Sequence, residues 1–193
     1  MLLADQTLKI LLNEYNFNTV LDIGCGPGKH SNRLRAAGKN VTSTDFTARF
    51  EGVVEGDYAS LKFQPHDAIW CSHVLEHVLD IQSFLSKLIR ECKEGGPIAI
   101  TVPPLKHQIV GGHVSLWNAG LLLYRLVLAG LDCREARVGC YGYNVSVIVE
   151  KKMIQQMPSI RMGGGDIELL SDYFPIPVKQ GFNGKDISHR WTN

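Results

Sequence analysis

The stretch VLDIGCGPGKHS, residues 20–31, decides the fold. It starts as a short apolar strand, breaks at Gly24, Gly26 and Gly28, and runs into KHSNRLRAAG, a helical pattern stopped at Gly38. In an open parallel sheet, ligands bind beyond the carboxyl ends of the strands, and this turn lies at the first such end. Glycines there let the backbone bend sharply and leave bare main chain for a ligand to approach. The spacing is G-x-G-x-G followed by Lys29. It is not the G-x-G-x-x-G that seats a dinucleotide pyrophosphate on a helix N-terminus, so a nicotinamide enzyme is not expected.

Working outward, Leu8, Leu11, Leu12 and Tyr15 recur with helical spacing before this stretch. After it come NVTSTDF, GVVEGDY and DAIWCSH, read as the second to fourth strands. Asp80 is a good N-cap for a helix whose face carries Ile81, Phe84, Leu85, Leu88, Ile89 and Cys92, expected to end at Gly95-Gly96. PIAITVP is a fifth strand, 116–129 a helix, and CREARVGCYGY with NVSVIVEKK a hairpin. Alternating strands and helices, with apolar central strands, predict an α/β fold around a mostly parallel sheet covered on both faces. The boundary is expected near 152, with 1–152 as the main domain. Residues 153–193 form an appendage whose short helix Asp166 would cap, and which would either cover the site or join copies of the chain.

Composition narrows the function. The chain has 193 residues, 45% hydrophobic and 20% charged, as in a globular domain with a real core. Net charge is +1 with no run of basic residues, so a nucleic-acid partner is not expected. Five scattered cysteines without C-x-x-C spacing point to reduced thiols and a cytoplasmic setting. The N-terminal stretch lacks the pattern of a signal peptide, and LWNAGLLLYRLVLAG is too short and too polar to span a bilayer, so no membrane association is expected.

Acids mark the following strand ends. Asp45 closes the second strand, where a carboxylate can accept both hydroxyls of a ribose, and Phe46 beside it can pack on an adenine. Asp57 ends the third strand, within reach of an adenine amino group. With VLDIGCGPGKHS, TSTDF, VEGDY, DAIWCSHVLEHV and KEGGPIAITVP in this order and spacing, residues 19–152 resemble the class I S-adenosylmethionine-dependent methyltransferases. The likeness is greatest to the small-molecule branch with a HxLEH element after the fourth strand. The resemblance implies a Rossmann-like seven-stranded sheet with an antiparallel C-terminal hairpin, and S-adenosyl-L-methionine as cofactor. It further implies that Asp22 meets the methionine amino group, and that Gly24, Cys25, Gly26 and Gly28 line the methionine and ribose. Asp45 would bind the ribose, Phe46 would flank the adenine, and Asp57 with Tyr58 would approach its edge. Cys71, Ser72 and His73 would pass beside the sulfonium.

HVLEH, residues 73–77, also matches the H-x-x-E-H pattern of inverted zinc peptidases. That use needs both histidines inside one helix and a third ligand. His73 instead follows a strand directly, and no third ligand is evident, so no metal is expected. Methyl transfer needs an acceptor held in line with the sulfonium, and a hydroxyl acceptor gains from a base that titrates near neutrality. His73 is one candidate; His113, in the glycine-flanked loop after the fifth strand, is the other. The reading is a methyltransferase acting on a small molecule, at a hydroxyl oxygen. N-methylation of a small amine and a cofactor-binding module without turnover are the alternatives.

Overall fold

The computed structural model describes residues 3–191. Its elements run α1 (Asp5–Glu14), β1 (Thr19–Ile23), α2 (Lys29–Ala36), β2 (Asn40–Asp45), β3 (Val53–Glu55), β4 (Ala68–Ser72), a 3-10 turn (Leu75–His77) and α3 (Ile81–Arg90). They continue with β5 (Pro97–Val102), α4 (Ala119–Leu128), β6 (Arg137–Tyr141), β7 (Asn144–Glu150), α5 (Asp166–Leu169) and a second 3-10 turn (Ser171–Tyr173). The strands make one seven-stranded sheet in the order β3-β2-β1-β4-β5-β7-β6. Pairs among β1 to β5 are parallel, while β7 runs antiparallel to both β5 and β6. This is the expected α/β architecture, including the C-terminal hairpin, which Gly142 turns with a positive φ of 52°.

The apolar central strands follow from burial on both faces. Val20, Trp70 and Ala99 point into a core with Leu8 and Leu11 of α1 and Leu34 of α2. Their neighbours Leu21, Ile69, Cys71, Ile98 and Ile100 point the other way, against α3 and α4. The C-terminal segment joins this second core through Leu170, Phe174, Val178 and Ile187. Among the described residues no helix is long and apolar enough to cross a membrane.

Three element boundaries differ from expectation. The helix α3 ends at Arg90, well before the glycine pair. There the Cys92 amide bonds Ile89 O at 3.2 Å and the Lys93 amide bonds His66 O at 2.9 Å, so the chain leaves the helix to join the segment before β4. The helix α4 begins at Ala119, because Asn118 is extended and its Oδ1 accepts the Leu121 amide at 2.8 Å. Asp166 does not cap α5, which Gly165 precedes with φ 90°. Its carboxylate accepts the Arg161 and Gly163 amides at 2.9 and 3.0 Å, closing the loop before the helix instead.

Candidate active site

Sheet order reverses between β1 and β4, the position at which such folds bind ligands. The glycine turn after β1 is stitched to the end of β2: the Gly24 and Cys25 amides bond Thr44 O at 2.8 and 3.1 Å. Asp45 closes the clasp, its Oδ2 accepting the Gly26 amide at 2.8 Å. Gly24 has φ 70°, and a Cβ there would lie 2.3 Å from Val74 Cγ2, so the side chain after β4 occupies the space that glycine frees. Gly26 has φ 51°, with open space where a Cβ would stand, which leaves main chain bare to an incoming group.

Beyond these strand ends lies a crevice of about 500 Å³. Of the residues singled out from sequence, Gly24, Asp45, Phe46, Asp57 and Tyr58 line it, and Phe46 is 72% exposed. Asp57 Oδ1 accepts the Ala59 amide at 2.9 Å, which bends the chain after β3. Tyr58 offers its ring rather than its hydroxyl, which donates to Glu91 Oε2 at 2.6 Å. Burial, then Glu91, raises that phenol above its usual range. Sequence reading missed Val74, Val78, Leu79, Phe84, Lys87 and Arg90 as lining residues. The last three share a helix with Ser83, which also lines the crevice; that helical spacing was a usable signal.

Asp22, Cys25, Gly26, Gly28, Cys71 and Ser72 are not among the lining residues. Asp22 is buried beneath the glycine turn, where Ser31 Oγ donates to its Oδ2 at 2.5 Å. Burial raises its carboxyl to about 6, opposed by the Ser31 bond and the charge of Arg35. Burial likewise pushes the Cys25 thiol to about 12 and holds Cys71 well above its ordinary value, so both stay protonated thiols. Gly28 lies under Phe50, whose ring a Cβ would meet at 2.6 Å. The hydroxyl of Ser72 is buried without a partner among the described residues.

The HVLEH segment is not one helix. His73 has a positive φ of 57°, and only Leu75–His77 form a 3-10 turn. The His73 ring stacks on Tyr143 with centroids 6.1 Å apart, and its Nε2 lies 3.1 Å from Asn144 Oδ1. Its Nδ1 lies 3.3 Å from Oε1 of the buried Glu76. Asn144 Oδ1 also accepts the Ala4 amide at 3.0 Å, while its Nδ2 donates to Tyr141 O at 3.1 Å, which fixes the orientation of the amide. Both nitrogens of His73 are therefore turned towards protein acceptors.

His113 arrives from the loop between β5 and α4. This loop is clipped to the 3-10 turn: the Val114 amide donates to Glu76 O at 2.7 Å, Ser115 Oγ donates to Leu75 O at 3.3 Å, and His77 Nδ1 meets Gly112 O at 2.7 Å. The result sets His113 edge to face with His77, centroids 5.0 Å apart. His77 lines the main crevice, whereas His113, Tyr143 and Trp117 line a small adjoining one. Trp117 and Tyr141 also wall a cleft of about 680 Å³ next to it.

Known proteins share these features. Residues 21–100 match the family model described as a methyltransferase domain. The malonyl-[acyl-carrier protein] O-methyltransferase of Salmonella typhimurium is 31% identical over 110 residues, covering 51% of this chain and 43% of that protein. A ubiquinone biosynthesis O-methyltransferase of Hydrogenovibrio crunogenus is 30% identical over 95 residues, 40% of this chain and 39% of its own length. The chain thus matches less than half the length of these curated relatives. Among solved structures, a SAM dependent methyltransferase from Archaeoglobus fulgidus superposes with TM-score 0.65 at 17% identity, over 77% of this chain and 91% of the other. The 1,6-didemethyltoxoflavin-N1-methyltransferase of Burkholderia thailandensis gives 0.64 at 16%, over 77% of each chain. Residues 21–100 thus match a methyltransferase domain, and the seven-stranded sheet has the fold of solved S-adenosylmethionine-dependent methyltransferases.

Proposed function

We propose that the protein transfers the methyl group of S-adenosyl-L-methionine to a hydroxyl oxygen of a small molecule. The observation that carries this reading is the crevice at the sheet's reversal point. There a carboxylate, Asp45, stands with Gly24 of the glycine turn and an exposed aromatic ring, Phe46. In this reading Asp45 takes the ribose hydroxyls with lone pairs left over from the Gly26 bond. Phe46 covers the adenine, and Asp57 meets its amino edge. Asp22 sets the charge beneath the methionine end, where Gly24, Cys25, Gly26 and Gly28 supply the turn. Cys71 and Ser72 end the strand beside the sulfonium.

The cofactor brings an activated methyl group, so the chain's work is positioning and proton handling. The acceptor oxygen attacks the methyl carbon, the carbon–sulfur bond breaks, and its electron pair stays on sulfur. The acceptor's proton leaves at the histidine edge where His73 and His113 stand. Hydroxyl acceptors are favoured by the O-methyltransferase names of the curated relatives, which act on acceptors of their own. Besides the crevice at the strand ends, the cleft lined by Trp117, Tyr141 and Asn144 offers separate room for an acceptor.

Calorimetric titration with S-adenosylhomocysteine tests the cofactor half, and saturable one-to-one binding is expected. Methyl release from radiolabelled cofactor onto catechol-type and simple amine acceptors tests the other half. Transfer to amines alone would replace the oxygen reading, and binding without transfer to any acceptor would favour a module that holds the cofactor for another purpose.

A further inference from the structure

Glu76 is the anomaly of the histidine edge. Its side chain is 1% exposed, its Oε1 stands 3.3 Å from His73 Nδ1 and 4.0 Å from His77 Nε2, and its Oε2 has no hydrogen-bond partner among the described residues. Buried carboxylates are paired throughout or coordinate metals, because an unmet buried charge is costly. Beside it, His77 is already oriented as a ligand. Gly112 O can only accept, so Nδ1 carries the hydrogen and Nε2, 4.0 Å from Glu76 Oε1, presents its lone pair. His113 completes the group: Glu76, His77 and His113 each offer a ligand atom, all within 4.8 Å of one another.

The set differs from the one the HVLEH pattern suggests. His73 is excluded by its left-handed backbone and its bond to Asn144, and the missing third ligand comes from a loop that the sequence does not visibly connect to this turn. Ligands about 2.0–2.2 Å from a common ion stand about 3.0–3.5 Å apart, so the group must contract. His113 can supply that movement. Its loop is bent at Gly112, with φ 82°, and among the described residues the half-buried imidazole makes no hydrogen bond of its own, packing only edge to face on His77.

We propose that Glu76, His77 and His113 bind one first-row divalent cation, with two imidazoles and a carboxylate selecting Zn²⁺ over Mg²⁺ or Ca²⁺. The site lies between the crevice lined by His77 and the adjoining one lined by His113, so its open positions face both. Its role rests on the methyltransferase reading and replaces His113 as the base: with the His113 lone pair on the metal, the cation would hold the acceptor oxygen and ease loss of its proton to water, leaving an oxyanion to attack the methyl carbon.

Zinc chloride titrated into the full chain, followed by elemental analysis after desalting, tests the site itself. One equivalent is expected, with affinity at least tenfold weaker in His113→Ala and Glu76→Gln and unchanged in His107→Ala, a histidine of the same exposed loop. Cobalt substitution should give a visible absorption band that His113→Ala abolishes; because this side chain lies on an exposed loop, the variant keeps the fold. No stoichiometric zinc in the wild type, or equal binding by His113→Ala, overturns the proposal. Zinc binding without S-adenosylhomocysteine binding would support the site and overturn the methyltransferase reading. The converse would overturn the site alone.

Discussion

Asp45 holds the Gly26 amide at 2.8 Å through Oδ2, while its Oδ1 accepts the Thr47 amide at 3.2 Å. One carboxylate thus fixes the glycine turn, starts the loop after β2, and still lines the crevice with acceptor capacity to spare. Its removal should act twice, by losing ligand contacts and by releasing the turn.

Asp45→Ala is therefore expected to weaken S-adenosylhomocysteine binding by roughly 10–100-fold, the loss of one or two charge-assisted hydrogen bonds at about 1.5–3 kcal/mol. Asp45→Asn, which keeps one oxygen for Gly26, should fall between. Calorimetry measures both, and wild-type affinity in Asp45→Ala would remove Asp45 from the cofactor site.

Asp22 gives a pH signature. Burial raises its carboxyl from about 4 in the unfolded chain to about 6 in the folded one. The folded state then binds more protons than the unfolded state between these values. The stability contribution is full below pH 4 and is lost as pH rises through 6. Two units correspond to about 2–3 kcal/mol. The stability of wild type to urea should therefore fall from pH 4 to pH 7 relative to Asp22→Asn, whose side chain does not titrate. Parallel profiles would show that Asp22 is ionised throughout.

The strands and the glycine turn were legible because their signals are local. Apolar runs such as AIW end at small or acidic residues, and two-sided burial leaves no polar alternation to confuse them. Helix ends were less legible, because tertiary bonds set them: His66 draws the chain off α3 after Arg90, and the Asn118 cap is indistinguishable in sequence from an interruption. The crevice walls were half legible. Asp45 and Phe46 sit at a strand end, whereas Val74 enters through contact with Gly24, and Lys87 through the orientation of a helix. The clip joining residues 112–115 to the HVLEH turn left no trace, since it is made by backbone atoms, one serine hydroxyl and one histidine nitrogen.

Asn144 is the clearest case of a residue whose importance lies in geometry. It opens β7, is buried, and bonds the N-terminal Ala4 amide, the His73 ring and Tyr141 O. Asn144→Ala should lower stability by about 1–3 kcal/mol, because it strands a buried amide. It should also lower turnover while leaving S-adenosylhomocysteine affinity within about threefold, as neither Asn144 nor any of its hydrogen-bond partners lines the crevice at the strand ends. Denaturant melts and calorimetry separate the two effects.

The C-terminal segment is held by backbone-to-backbone approach. The Gly120 amide donates to Gly184 O at 2.9 Å, and a Cβ on Gly120 would stand 2.6 Å from Gly184 Cα and 2.9 Å from the Phe182 ring. Farther on, a Cβ on Gly139 would strike the Trp191 ring at 2.2 Å. Neither contact can relax by a side-chain rotation alone, because in the first a main chain is struck and in the second a ring already stacked on Tyr141. Gly120→Ala should cost about 1–3 kcal/mol and loosen residues 182–187 from α4. Limited proteolysis should then cut near Lys179 and Lys185 faster than in wild type. Gly139→Ala should free Trp191 first, raising its solvent exposure in fluorescence quenching. Unchanged proteolysis in both variants would mean that Leu170, Phe174 and Val178, buried against the core, hold the segment without these close contacts.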